Sequence, residues 1–159
     1  MKTKISTRKT TLFCGIILCL LALTVPARSS KKGNPKNHPP VSKNIDKLIK
    51  TKFKNVEFGF NKSSVADAYY DELDKVAKLL IENNASLKVS GHADNIGAYV
   101  YNWNLSKTRA QSVKAYLVSK GADESRIAST EFGDTKPIAS NETATGRKLN
   151  RRVEIQFVE

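Results

Sequence analysis

A chain of 159 residues, with 40% hydrophobic and 26% charged side chains and a mean hydropathy of -0.41, has room for one ordinary domain and a tail. That composition excludes a multi-span membrane protein, a collagen-like fibre and a wholly disordered polypeptide. Lysine and arginine number 27 against 15 acidic residues, a formal +12, and what that excess implies depends on where it lies.

The first ten residues carry Lys2, Lys4, Arg8 and Lys9 and no acid, and Leu12 to Val25 is apolar apart from Gly15 and Thr24. A basic start, an apolar run and Val25-Pro26-Ala27 as a cleavage site predict an export signal over residues 1–27, cut after Ala27. A run of about 14 residues is short for a hydrocarbon core of ~30 Å, so an uncleaved inner-membrane anchor is the alternative. In either case the residues beyond 28 are expected across the membrane. Cys14 and Cys19 both lie inside the apolar run, without a small-residue lipobox before either. The processed chain would hold no thiol, which excludes disulfides, zinc-thiolate sites and cysteine nucleophiles.

Residues 28–44 form a stretch rich in proline and lysine with five basic residues and no acid, predicted to be an extended tether of up to roughly 55 Å. Its charge suits peripheral contact with anionic lipid or wall polymer, or simply solubility. Residues 45–159 then hold 18 basic and 15 acidic groups. A net +3 is not the signature of a nucleic-acid-binding domain, so no nucleic-acid partner is expected.

Within residues 45–159, Val56, Phe58 and Phe60 alternate with Glu57 and Gly59, the period of a half-buried strand over 55–60. Ser64 with Asp67 reads as a helix start, and Leu73, Val76, Ala77, Leu80 and Ile81 recur at helical spacing, predicting a helix over 65–83. A strand over 86–90 carries Leu87 and Val89 inward and stops at Gly91. A loop over 91–104 leads to a helix over 105–120, with Leu105, Ala110, Val113 and Leu117 as its stripe and Gly121 as its left-handed stop. Strands follow over 126–132 and 152–158, separated by a long loop. The order βαβαβ-β predicts an α+β fold, a small mixed sheet of about four strands with two main helices on one face.

Polar and glycine residues concentrate in Gly91-His92-Ala93-Asp94-Asn95-Ile96-Gly97, directly after a strand, where a loop presents side chains and N–H groups outward. Arg109 follows on the next helix. Asp94 and Arg109 either neutralise each other or clasp a ligand bearing both an ammonium and a carboxylate, Asp94 taking the first and Arg109 forking onto the second. Arg147, Arg151 and Arg152 add an electropositive rim suited to an anionic polymer, or a charged edge that discourages sheet association.

These residues fall in register with one family pattern: Gly91-His92-Ala93-Asp94, Gly97, Tyr101-Asn102 with Leu105-Ser106 and Arg109-Ala110, Pro137-Ile138, Gly146-Arg147 and Asn150-Arg151-Arg152-Val153, led by Phe58-Gly59-Phe60-Asn61. Over about residues 54–158 the chain resembles the OmpA-like domain, the peptidoglycan-associating module of many outer-membrane proteins, lipoproteins and motor stators. The resemblance implies binding of the diaminopimelate residue of the peptidoglycan stem, whose free end carries an ammonium and a carboxylate on one carbon. It implies Asp94 for the ammonium, Arg109 for the carboxylate, hydrogen bonds from Asn102 and from the backbone at Asn95 and Gly97, and Arg151 lining the same cleft. It further implies a periplasmic protein associated with cell wall or outer membrane, and removal of Asp94 or Arg109 is expected to abolish wall binding with the fold intact. Ala93 stands for the family's threonine and Asn61 for an aspartate, and neither touches the Asp94 and Arg109 pair.

Alternatives fare less well. After the leader the only histidines are His38 and His92, no nucleophile and base can be assembled around them, and His92 with Asp94 lacks a third metal ligand. No catalytic residue, metal or cofactor is assigned, and His92 is expected to brace its loop. The apolar run has no acid, which argues against an ion-driven stator. Too few residues precede the domain for an eight-stranded barrel. The other reading is a protein-interaction module of an envelope complex using Tyr99, Tyr101 and Trp103, though aromatics at a loop-helix junction are expected to pack rather than project.

Overall fold

The computed structural model describes residues 43–158; the predicted leader and nearly all of the tether lie outside the described residues. Four strands form one mixed sheet in the order β1-β4-β2-β3, with β1 Val56–Glu57, β2 Ser86–Gly91, β3 Ile127–Glu131 and β4 Arg152–Val158. β4 runs antiparallel to both neighbours, pairing Val56 with Val153 on one side and Gly91 with Val153 through Ser86 with Val158 on the other. β2 and β3 are parallel, Leu87 opposite Ile127, as a helical crossover between them requires.

The alternation of β4 is as predicted. Val153, Ile155 and Phe157 face the core with Leu87 and Val89, and Glu154 and Gln156 lie on the opposite face with Lys88. Over the core face lie α2 (Tyr70–Glu82) and α3 (Tyr99–Ser119). α2 buries Leu73, Val76, Ala77 and Leu80; Ile81 lies one step round the helix from this stripe and is exposed, unlike the prediction.

Other elements depart from the predicted bounds for local reasons. β1 is only two residues long, because the chain turns back at once: Lys62 N–H donates to Gly59 O at 3.2 Å and Asn61 adopts a φ of 54°. Ser64 caps nothing; a 3₁₀ turn over Asp67–Tyr69 follows Ala66 and no side chain caps it. α3 begins at Tyr99, six residues ahead of the prediction, just past Gly97 at φ 109° and an extended Ala98. Two helices went unpredicted. α1 (Lys43–Lys50) starts within the stretch read as tether, packs on β4 and sends Leu48 to the core. α4 (Ala144–Asn150) occupies the presumed long loop, with the Thr143 hydroxyl accepting from Gly146 N–H at 3.0 Å.

Two glycines set close approaches that position the site. A Cβ on Gly91 would lie 2.0 Å from Ser106 O, so α3 crosses directly over the end of β2. One on Gly146 would lie 1.9 Å from Ser140 O, which lets α4 sit against the loop before it.

Candidate functional site

The carboxyl end of β2 opens between α3 and the turn after β1. β2 continues pairing past Gly91, His92 N–H donating to Arg152 O at 2.9 Å and Ala93 N–H to Gly133 O at 2.7 Å, which holds Asp94 at the sheet's rim. There the Asp94 side chain, only 3% of the residue being exposed, makes two bonds. Its Oδ1 accepts from Ile96 N–H at 3.1 Å and its Oδ2 from Arg151 Nη1 at 2.8 Å. The first is an Asx turn that shapes the loop. The second joins residues 57 positions apart, a partner that sequence spacing does not reveal.

Arg151 reaches this point because Asn150 anchors the segment before it. Asn150 is fully buried; its Oδ1 accepts from Ile138 and Ala139 N–H at 2.8 and 3.1 Å, and its Nδ2 donates to Ala139 O and Asn141 Oδ1, both at 2.8 Å. Arg151 Nε then donates to Phe58 O at 3.0 Å and Phe58 N–H to Arg151 O at 2.8 Å. The end of β1, the start of β4 and the Asp94 loop are thereby joined through one side chain.

Arg109 has no exposed surface at all. Its Nε donates to Lys62 O at 2.9 Å, its Nη1 to His92 O at 2.9 Å and its Nη2 to Gly59 O at 3.2 Å, with the guanidinium carbon 5.4 Å from the Phe58 ring centre. Burial pulls its pKa down from the ordinary arginine range to about 10 and the Asp94 charge opposes that shift, so the group stays a cation at neutral pH. A guanidinium has five N–H donors, so three bonds leave two, one on each terminal nitrogen. Arg109 knits the β1 turn to β2, so its removal should act on the framework as well as on the cleft.

Asp94, Arg109 and Arg151 line one cavity of about 130 Å³, with Gly97 at its lip. Its walls are Phe60 and Asn61 from the β1 turn, Ile96 from the loop, and Tyr101 and Leu105 from α3; the Tyr101 hydroxyl donates to Asn61 Oδ1 across it. Tyr101, Leu105 and Arg109 recur at i, i+4 and i+8, a periodicity that would have revealed the wall once α3 was known to start at Tyr99. Two cations against one carboxylate leave the cleft short of one negative charge. The volume is small beside the roughly 300–1,000 Å³ of pockets that enclose whole ligands, so it admits the end of a side chain. Asn102 and Asn95 lie outside this lining. Asn102 is buried beneath Gly97, its Nδ2 without a hydrogen-bond partner among the described residues, and Asn95 is exposed.

His92 parts from Asp94: its ring stacks on Phe132, centres 5.2 Å apart, and Nε2 lies 3.8 Å from Glu154 Oε1. Tyr99 is 57% exposed and Val100 69%, so this side of the first turn of α3 projects, whereas Trp103 packs as expected, half-buried with its ring centre 5.7 Å from that of Tyr99. Among the described residues no group of three or more His, Cys, Asp or Glu side chains could hold a metal ion, and no helix is long and apolar enough to cross a membrane.

Residues 57–151 match the model of the OmpA family. The chain belongs to the OmpA family. It is 48% identical over 103 residues to outer membrane protein A of Bordetella avium, a match spanning 64% of this chain and 53% of that one. The chain thus spans about half the length of this relative, and less of several others. In structure it is similar to the peptidoglycan-associated lipoprotein from Burkholderia pseudomallei, with a TM-score of 0.65 and 26% identity over 66% of this chain and 90% of that one. It is also similar to the cell wall anchor of the T6SS from Pseudomonas aeruginosa, with a TM-score of 0.55 and 38% identity over 64% and 75%.

Proposed function

We propose that this OmpA-family domain binds peptidoglycan without covalent chemistry, holding the free zwitterionic end of a diaminopimelate stem residue in the cleft and so tethering or organising the cell envelope. The observation that carries the reading is the convergence of one carboxylate and two guanidinium groups on a cavity sized for the end of a side chain. Asp94 keeps spare lone pairs for an ammonium, and the two remaining N–H groups of Arg109, with those of Arg151, face a carboxylate. Gly97 and the Asn95 backbone contribute from the loop at the rim, and Asn102, outside the lining, supports that loop from beneath Gly97. The peptidoglycan-associated lipoprotein and the cell wall anchor named above lend support from structure.

In the same proposal residues 1–27 export the chain, residues 28–44 tether it and 45–159 form the binding domain in the periplasm, with the basic tether free to touch anionic membrane. The test is co-sedimentation with purified diaminopimelate-type sacculi. The parent should pellet and Asp94→Ala should stay in the supernatant; equal pelleting would refute the assigned site. A second reading, a protein-interaction module, is favoured by the projecting Tyr99 and Val100 and would leave the parent itself in the supernatant.

A further inference from the structure

Arg151 holds the Asp94 carboxylate at the rim of the sheet. Its Nη1 sits 2.8 Å from Asp94 Oδ2, and its side chain is 14% exposed where Arg109 has no exposed surface. Arg109 is held by three carbonyls on three segments, whereas the Arg151 guanidinium is fixed to the framework by one bond, Nε to Phe58 O; its Nη2 has no hydrogen bond among the described residues. Both groups line the cleft.

We infer that Arg151 is an internal counter-ion that sets the cleft's specificity, exchanging its hold on Asp94 for the ligand's carboxylate when a zwitterionic head enters. This rests on the reading of the cleft given above. A ligand with only an ammonium draws on a carboxylate whose charge Arg151 already offsets and gives the guanidinium nothing in return, so pulling Asp94 toward it weakens the hold on a half-buried cation. A ligand with an adjacent carboxylate returns a forked acceptor to the Nη1 and Nη2 edge while Nε stays on Phe58 O. Selectivity then arises from a penalty against the wrong ligand as well as attraction of the right one. Arg109, pinned by three backbone carbonyls, offers its two remaining N–H groups to the same ligand carboxylate without giving up a partner.

The proposal gives a gain-of-binding prediction that a purely structural role for Arg151 would not produce. Soluble stem tetrapeptides with diaminopimelate or lysine at the third position are titrated into the full-length protein and into Arg151→Gln and Arg151→Met. Both variants should bind the lysine stem more tightly than the parent, by roughly tenfold, and the preference for diaminopimelate should fall toward unity. Arg109→Lys should lower thermal stability yet leave the lysine stem bound no better than in the parent. If folded Arg151 variants bind the lysine stem no better than the parent, or keep the parent's preference, the counter-ion role is overturned while the cleft assignment stands. A parent that binds neither stem overturns both.

Discussion

Replacing Arg109 by alanine should weaken the fold as well as the site. The side chain is fully buried and makes three charge-assisted bonds to backbone carbonyls, of Gly59, Lys62 and His92. Each such bond contributes about 1.5–3 kcal/mol net, but the three share one guanidinium and do not add independently. Gly59 O keeps a second donor, Lys62 N–H at 3.2 Å, so it is not orphaned outright. Losing the other two acceptors' partner, together with the contact to Phe58, gives a loss of about 3–5 kcal/mol, a large share of the 5–15 kcal/mol that holds a domain of this size together. Urea denaturation followed by circular dichroism measures it, with Arg109→Met as a control that restores the apolar stem but no donors. A loss under about 1 kcal/mol for Arg109→Ala, with unchanged dependence on urea, would refute a framework role.

Gly91→Ala should cost at least about 2 kcal/mol in the same assay, because its Cβ would meet Ser106 O at 2.0 Å and α3 must shift to admit it; a neutral substitution would contradict the close crossing. Burial, helped by the Arg152 charge, draws the His92 pKa from 6.5 down to about 4, so the unfolded chain takes up this proton first as the pH falls. The stability owed to its neutral ring is complete above pH 6.5 and is lost as the pH falls toward 4, on the order of 3 kcal/mol over that window. His92→Leu should therefore lose less stability than the parent between pH 7 and pH 4.5, and parallel losses would place the acid sensitivity elsewhere.

The sheet was legible where one face is apolar and the other is not. The alternation of Val153, Ile155 and Phe157 located β4 to the residue, and Leu87 with Val89 located β2. α3 hid its first turns because its buried stripe begins with Asn102, Ser106 and Arg109 and turns apolar only from Ala110 onward. That inversion is itself the mark of a helix that leaves the core to serve a site. α4 offered no stripe, since its one large apolar residue, Leu149, is exposed and the element is held by the Thr143 cap and the Asn150 amide. In the cleft, the residue types were readable but their pairings were not. Nothing in the order of residues says that Asp94 meets Arg151 while Arg109 spends three donors on carbonyls, because those bonds are set by where three distant turns converge.

The most direct measurement is calorimetric titration of the full-length protein with the two stem tetrapeptides. Saturable one-site binding of the diaminopimelate stem, at least roughly tenfold tighter than the lysine stem, is the expected result. Equal affinity for the two, or no heat from either, would contradict a cleft built to hold an ammonium and a carboxylate side by side.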